Sequence, residues 1–172
     1  MDPSKPFKIL FLCTGNSARS ILAEYIIKRA GRGKFISYSA GSNPKGSVHP
    51  MALEVLHKNY NHDVTDARSK SWQEFGDTEF DFVITLCDSA KESCPIWPGQ
   101  PIVAHWSSPD PAAFEGTDEE KLKFFAQVAL QIQRRIDLLC CLPFSQLSVL
   151  NLIQETKDIG QKEKIDTQVP SK

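Results

Sequence analysis

Five positions in this chain have side chains suited to chemistry: Cys13, Arg19, Cys87, Cys94 and Asp110. Cys13 opens the run Cys13-Thr14-Gly15-Asn16-Ser17-Ala18-Arg19-Ser20, with five residues between thiol and guanidinium. Gly15 and the small Ser17 and Ala18 let successive backbone N–H groups converge on one point. A helix starting next would add its positive N-terminal end, and Arg19 a planar fork of donors. Such a field holds a tetrahedral oxyanion and favours a thiolate over a thiol. A buried cysteine closing a core strand is the plainer alternative, but cysteine, arginine and serine at a strand-to-helix turn form a specific constellation. Asp110 lies between Pro109 and Pro111, which restrict its backbone and suit a carboxylic acid aimed at a leaving oxygen. An ordinary turn aspartate would look similar in isolation. Cys87 and Cys94 flank a polar segment; with no second cysteine pair and no histidine at ligand spacing, a zinc half-site is a weak reading.

These residues need elements to position them. Phe7 to Leu12 is an apolar run of strand length, and Leu22, Tyr25, Ile26 and Ala30 recur at helical spacing before Gly31 and Gly33. Residues 35–41 read as a second strand, so the first 41 residues form a strand-helix-strand unit that builds a parallel sheet. Helix is predicted for His49 to Tyr60, a short helical turn for Ser69 to Phe75, and strands for Phe80 to Leu86 and Ile102 to Trp106. Residues 88–101 read as a mobile loop with no regular element. Thr117 with Glu120 makes a capping box for a long helix whose apolar face is Leu122, Phe125, Val128, Ile132, Ile136 and Leu139, ended by Pro143. Another helix is expected within 144–154. A single domain over residues 1–155 and a flexible polar tail over 156–172 complete the expectation. In an open parallel sheet, functional groups gather at the carboxyl ends of strands, and Cys13, Cys87 and Asp110 all follow strands.

Composition narrows the function. With 20 basic and 21 acidic residues, the net charge of −1 gives no general attraction to nucleic acid or an anionic membrane, so any anion affinity is local. No apolar run approaches the roughly 18 to 20 residues of a spanning helix, and Met1-Asp2-Pro3-Ser4-Lys5-Pro6 does not lead into a signal-peptide core; a cytoplasmic protein is expected. Five cysteines are an odd set in a domain large enough to need no staples, which favours catalysis or redox exchange over scaffolding. Cys140 and Cys141 are expected to be core or surface thiols. His49, His57, His62 and His105, with Trp72, Trp97 and Trp106, are expected in packing or surface roles.

The cysteine loop, the pair Cys87 and Cys94, and His105-Trp106 followed by Asp110-Pro111-Ala112 together resemble the cysteine-relay arsenate reductases built on the low-molecular-weight tyrosine phosphatase fold. The resemblance covers residues 7 to 141. It implies an α/β, flavodoxin-like three-layer domain with a four-stranded parallel sheet. It also implies that Thr14 to Ser20, Arg19 included, bind arsenate, with phosphate and sulfate as competing oxyanions, and that Ser17 and Ser20 stabilise the Cys13 thiolate. Cys13 would attack arsenic, Asp110 would protonate the departing hydroxide, Cys87 would attack Cys13, and Cys94 would collect the disulfide for an external thiol. Thioredoxin is the expected donor, with glutaredoxin or glutathione as the alternative, and no tightly bound cofactor or metal is implied. Ala18 stands where many relatives carry another cysteine. Some relatives bind potassium beside the loop; Asn16, Glu24 and Ser39 match its ligands, whereas Lys70 falls where an acidic ligand would be expected, so its ammonium is expected to replace the ion. A tyrosine phosphatase sharing Cys13, Arg19 and Asp110 is the first rival, and a non-catalytic redox or oxyanion sensor the second.

Overall fold

A computed structural model describes residues 5–165 of the 172-residue chain. β1 (Phe7–Cys13) is the spine, pairing in parallel with β2 (Phe35–Gly41) on one side and β3 (Phe82–Thr85) on the other; β4 (Ile102–His105) pairs with β3, giving the order β2-β1-β3-β4. The central strands of such a sheet are buried on both faces, which is why β1 is apolar without a break from Ile9 to Cys13. Alternation still divides it: Ile9 and Phe11 join the larger core, while Leu10, Leu12 and Cys13 join a smaller one with Phe80, Val83, Cys87 and Trp97.

The larger core is closed by helices α1 (Arg19–Ala30), α2 (Pro50–Tyr60), α4 (Asp118–Cys140) and α5 (Val149–Ile159). On α1 every residue from Ser20 to Ile27 is buried, because the helix lies between the sheet and α4. The Thr117 hydroxyl accepts from Glu120 N and the Glu120 carboxylate from Thr117 N, completing the capping box of α4, whose buried face includes Phe125, Val128, Ile132, Ile136 and Leu139. The opposite layer is thin: a 3-10 turn (Trp72–Phe75), the short helix α3 (Asp88–Glu92) and the segment around Trp97.

Two expectations are corrected. Residues 88–92 are helical, not irregular, with Cys87 at the helix N-cap. α5 runs through Ile159, so 156–159 belong to a packed helix, and Thr156, Ile159 and Gly160 are buried. The expected tail therefore does not begin at 156; its last residues, 166–172, and the opening residues 1–4 lie outside the described part. Among the described residues no helix is long and apolar enough to cross a membrane.

Candidate active site

Cys13 is the last residue of β1, only 3% exposed, and the loop after it wraps over its sulfur. The carbonyls of Cys13, Thr14, Gly15 and Ser17 accept hydrogen bonds from the N–H groups of Ser42 (3.2 Å), Asn43 (2.9 Å), Lys45 (2.9 Å) and His49 (2.8 Å). With its carbonyls tied outward, the loop is left to present N–H groups inward, the arrangement that binds anions. Asn16 takes φ +42°, a left-handed value that asparagine tolerates better than most residues, and its N–H donates to Cys13 Sγ at 3.2 Å. Gly41 gives the loop its room: a Cβ there would lie 2.5 Å from Thr14 O and 3.0 Å from Asn16 N.

The Asn16 side chain ties together the network beneath the sulfur. Its Nδ2 donates to Ser20 Oγ (2.8 Å) and Ser39 Oγ (2.9 Å), and its Oδ1 accepts from Lys70 N (2.7 Å). Ser39 donates its own proton to the Glu24 carboxylate, and Ser20 Oγ lies within hydrogen-bond distance of Cys13 Sγ, at 2.9 Å. The Cys13 sulfur thus accepts from the Asn16 N–H and pairs with the Ser20 hydroxyl. Lys70 Nζ lies 3.2 Å from Glu24 Oε2 and 3.0 Å from Arg68 O, so Asn16, Glu24, Ser39 and Lys70 meet in one buried network with the ammonium inside it. Of the two serines expected at the thiolate, Ser20 touches the sulfur; Ser17 is buried and lines the cleft, with no bond to the sulfur among the described residues.

A cleft of about 400 Å³ opens above Cys13, lined by Thr14, Gly15, Ser17, Ala18, Arg19, Asn43, Lys45, Cys87, Asp88, Ser89 and Asp110. Arg19 Nη1 donates to Ser108 O at 3.0 Å and its Nη2 lies 3.5 Å from Asp110 Oδ2. The other Asp110 oxygen accepts from Ala112 N at 3.1 Å, capping the turn Pro111–Ala113. Cys87 faces the same cleft, buried, with its sulfur 3.3 Å from Thr14 Oγ1.

Cys94 does not line this cleft. It borders a separate depression with Lys91, Val103, His105 and Lys157; burial pushes its thiol up, while the Trp97 indole beside it pulls the other way. His105, expected in a packing or surface role, is bonded at both nitrogens, to Thr85 Oγ1 (2.8 Å) and Asp88 Oδ1 (3.0 Å), and so tethers the first residue of α3 to the end of β4. Sequence reasoning also missed Asn43 and Lys45. Lys45 lays its stem across Gly15 and, with burial, holds His49 below its ordinary value; the signal available was only the Asn43-Pro44-Lys45-Gly46 turn after β2.

Residues 8–148 match the family model described as low molecular weight phosphotyrosine protein phosphatase. An arsenate reductase of Oceanobacillus iheyensis is 39% identical over 128 residues, which is 74% of this chain and 91% of that protein. A glutaredoxin arsenate reductase of Synechocystis is 31% identical over 130 residues, 76% of this chain and 93% of the relative. Among solved structures, an arsenate reductase in a phosphate-binding state superposes with a TM-score of 0.66 at 30% identity, covering 78% of this chain and 96% of that one.

Proposed function

The chain belongs to the low molecular weight phosphotyrosine protein phosphatase family, and from that premise we propose that it reduces arsenate to arsenite through Cys13, Cys87 and Cys94. The observation that carries this reading is the second thiol in the cleft: Cys87 lines the same cavity as Cys13, Arg19 and Asp110. Hydrolysis of a phosphate ester needs one thiol, an anion clamp and an acid. Reduction of arsenic needs two electrons from sulfur, and so a second thiol within reach of the first.

In this reading arsenate sits among the amides of Thr14 to Ser20 with Arg19 on its oxygens. The Cys13 thiolate attacks arsenic, and Asp110 protonates the hydroxide that departs as water. Cys87 then attacks Cys13 Sγ; the arsenic–sulfur bond breaks with its electron pair left on arsenic, which leaves as arsenite, and a Cys13–Cys87 disulfide remains. Cys94 attacks Cys87, frees Cys13 and carries the disulfide outward. Because Cys94 borders a different depression, this last exchange requires α3, five residues long and tethered by His105 to Asp88, to open. The raised Cys94 thiol makes the exchange faster as pH rises. The outward disulfide is reduced by an external thiol protein, thioredoxin in our reading, with glutaredoxin or glutathione as the alternative, and a reducing cytoplasm suits five free thiols. Lys70 takes the place of a potassium ion, so no tightly bound cofactor is required.

The test follows arsenite release with thioredoxin and glutaredoxin systems beside hydrolysis of an aryl phosphate. Sustained arsenite release with one of the two systems, and slow ester hydrolysis, is the expected result. Efficient ester hydrolysis with no arsenite would make the protein a phosphatase.

A further inference from the structure

The matched family region ends at residue 148, yet α5 bonds the strand end beside the cleft, and the residues after it bond Arg135, which in turn holds the loop that serves the cleft. Trp106 Nε1 donates to Thr156 O at 2.9 Å. Gly160 lies so close to β4 that a Cβ on it would be 2.3 Å from His105 O and 2.7 Å from Trp106 Cδ1. Arg135 of α4, 1% exposed, has three oxygen partners in two segments: Nε donates to Lys162 O (3.1 Å), and Nη1 to Ser107 O (2.9 Å) and Ser108 Oγ (3.3 Å). Burial pulls its guanidinium down to about 10, still charged at neutral pH. A buried charge is tolerated only while its donors are matched, so removing either segment leaves it under-satisfied.

Ser108 is where this framework meets the site. Its side chain takes Arg135, its carbonyl takes Arg19 Nη1 at 3.0 Å, and Asp110 follows two residues later. The loop from 107 to 110 thus lies between two arginines, one buried and held by the C-terminal segment, the other facing the cleft. We propose that the segment after residue 148 is part of the oxyanion site's framework, with Arg135 and Gly160 as positioning residues that hold Ser108, and through it Arg19 and Asp110, in the geometry that binds the anion. This rests on the cleft being the oxyanion site of the reaction proposed above. Lysine cannot replace Arg135, because one ammonium cannot reproduce a planar fork that spans two segments.

Gly160→Ala and Arg135→Lys test it, beside Arg134→Ala, which removes only the exposed ion pair with Glu163. Each is assayed for inorganic phosphate affinity, read as protection of Cys13 from alkylation, for KM and kcat with arsenate, and for cooperative melting. In folded Gly160→Ala and Arg135→Lys, phosphate affinity should weaken and the arsenate KM should rise by about tenfold, with Arg134→Ala like the parent. A role confined to stability would lower the melting temperature and leave the affinity of the folded fraction unchanged. Coupling is reciprocal, so the unmodified protein gives a check that needs no variant: saturating phosphate should slow amide exchange across residues 156–163 severalfold. Parent-like phosphate affinity in the folded variants, or exchange across 156–163 indifferent to phosphate, overturns the proposal and leaves the reductase reading standing. A parent protein whose Cys13 is not protected by phosphate and that releases no arsenite overturns both.

Discussion

Replacing Lys70 by methionine keeps the aliphatic stem and deletes the charge, which isolates what the ammonium does beside the cysteine loop. Lys70 is 8% exposed and its Nζ is 3.2 Å from Glu24 Oε2, itself in a residue only 8% exposed. Removing one partner of a buried pair costs about 3 to 5 kcal/mol, mostly the penalty of the charge left behind. Glu24 would keep the Ser39 hydroxyl and the more exposed Lys28 ammonium at 3.7 Å, so the lower end, about 3 kcal/mol, applies. In a chain of this size each kcal/mol moves the melting temperature by about 2 to 4 °C, so Lys70→Met should melt about 6 to 12 °C below the parent. Adding Glu24→Gln removes the orphaned charge, and the double variant should melt above Lys70→Met. If the ammonium occupies an ion's place, exchanging potassium for sodium at constant ionic strength leaves parent turnover unchanged, while Lys70→Asp gains a potassium response. Calorimetry of the variants and turnover in the two salts provide the measurements. A Lys70→Met protein melting within about 2 °C of the parent, or potassium activation of the parent, would refute the reasoning.

Gly41→Ala should damage binding more than folding: its Cβ would sit 2.5 Å from Thr14 O, about 0.9 Å inside ordinary contact at 3.4 Å. A cost of about 1 to 3 kcal/mol in stability is expected from the overpacking, with kcat/KM for arsenate down about tenfold to a hundredfold as the loop shifts; steady-state kinetics and melting check both. Folding stability should fall as pH drops below about 6.5, because burial holds His49 and His62 below that value in the folded chain and the unfolded chain takes up protons the folded one refuses. Their stabilising contribution is complete above 6.5 and is lost as pH falls through the depressed values, so urea midpoints at pH 7.5 and 5.5 should differ, and His49→Gln with His62→Gln should narrow the gap. Cys13 should alkylate at pH 6 far faster than Cys140, whose thiol burial pushes up to about 11, and phosphate should slow the Cys13 reaction alone; peptide mapping after limited alkylation reads the ratio.

The first forty residues were legible because local chemistry and long-range structure agree there. The apolar run of Phe7 to Leu12, the small loop and the helical spacing of Leu22, Tyr25 and Ile26 correspond to β1, the loop and α1, and residues 35–41 correspond to β2. The capping box at Thr117 and Glu120 likewise marks its helix without help from the rest of the chain. What was missed depends on distant partners. Residues 88–92 make little more than one helical turn, too few for a periodic pattern, and are tied down by His105 from another strand. Residues 156–160 read as polar tail because what Thr156 and Gly160 meet, Trp106 and the backbone of β4, is distant in sequence. In the site, Cys13 and Arg19 share one local motif, whereas the separation of Cys94 from the cleft depends on how α3 packs, which no spacing reveals. Lys45 reaches the cleft only because the segment after β2 bonds the loop's carbonyls.

The central claim is that two further thiols serve Cys13, and the cysteine series tests it most directly: arsenite released per enzyme, with the disulfides mapped by mass spectrometry, in Cys13→Ser, Cys87→Ser and Cys94→Ser. Cys13→Ser should lose arsenate reduction and any ester hydrolysis. Cys87→Ser should lose arsenate turnover and keep whatever hydrolysis the parent shows, since that chemistry needs only Cys13, Arg19 and Asp110. Cys94→Ser should release about one arsenite per enzyme, stop with a Cys13–Cys87 disulfide that is lighter by about two hydrogens, and fail to turn over with thioredoxin. Parent-like arsenate turnover in both Cys87→Ser and Cys94→Ser, with every reductant, would contradict the relay.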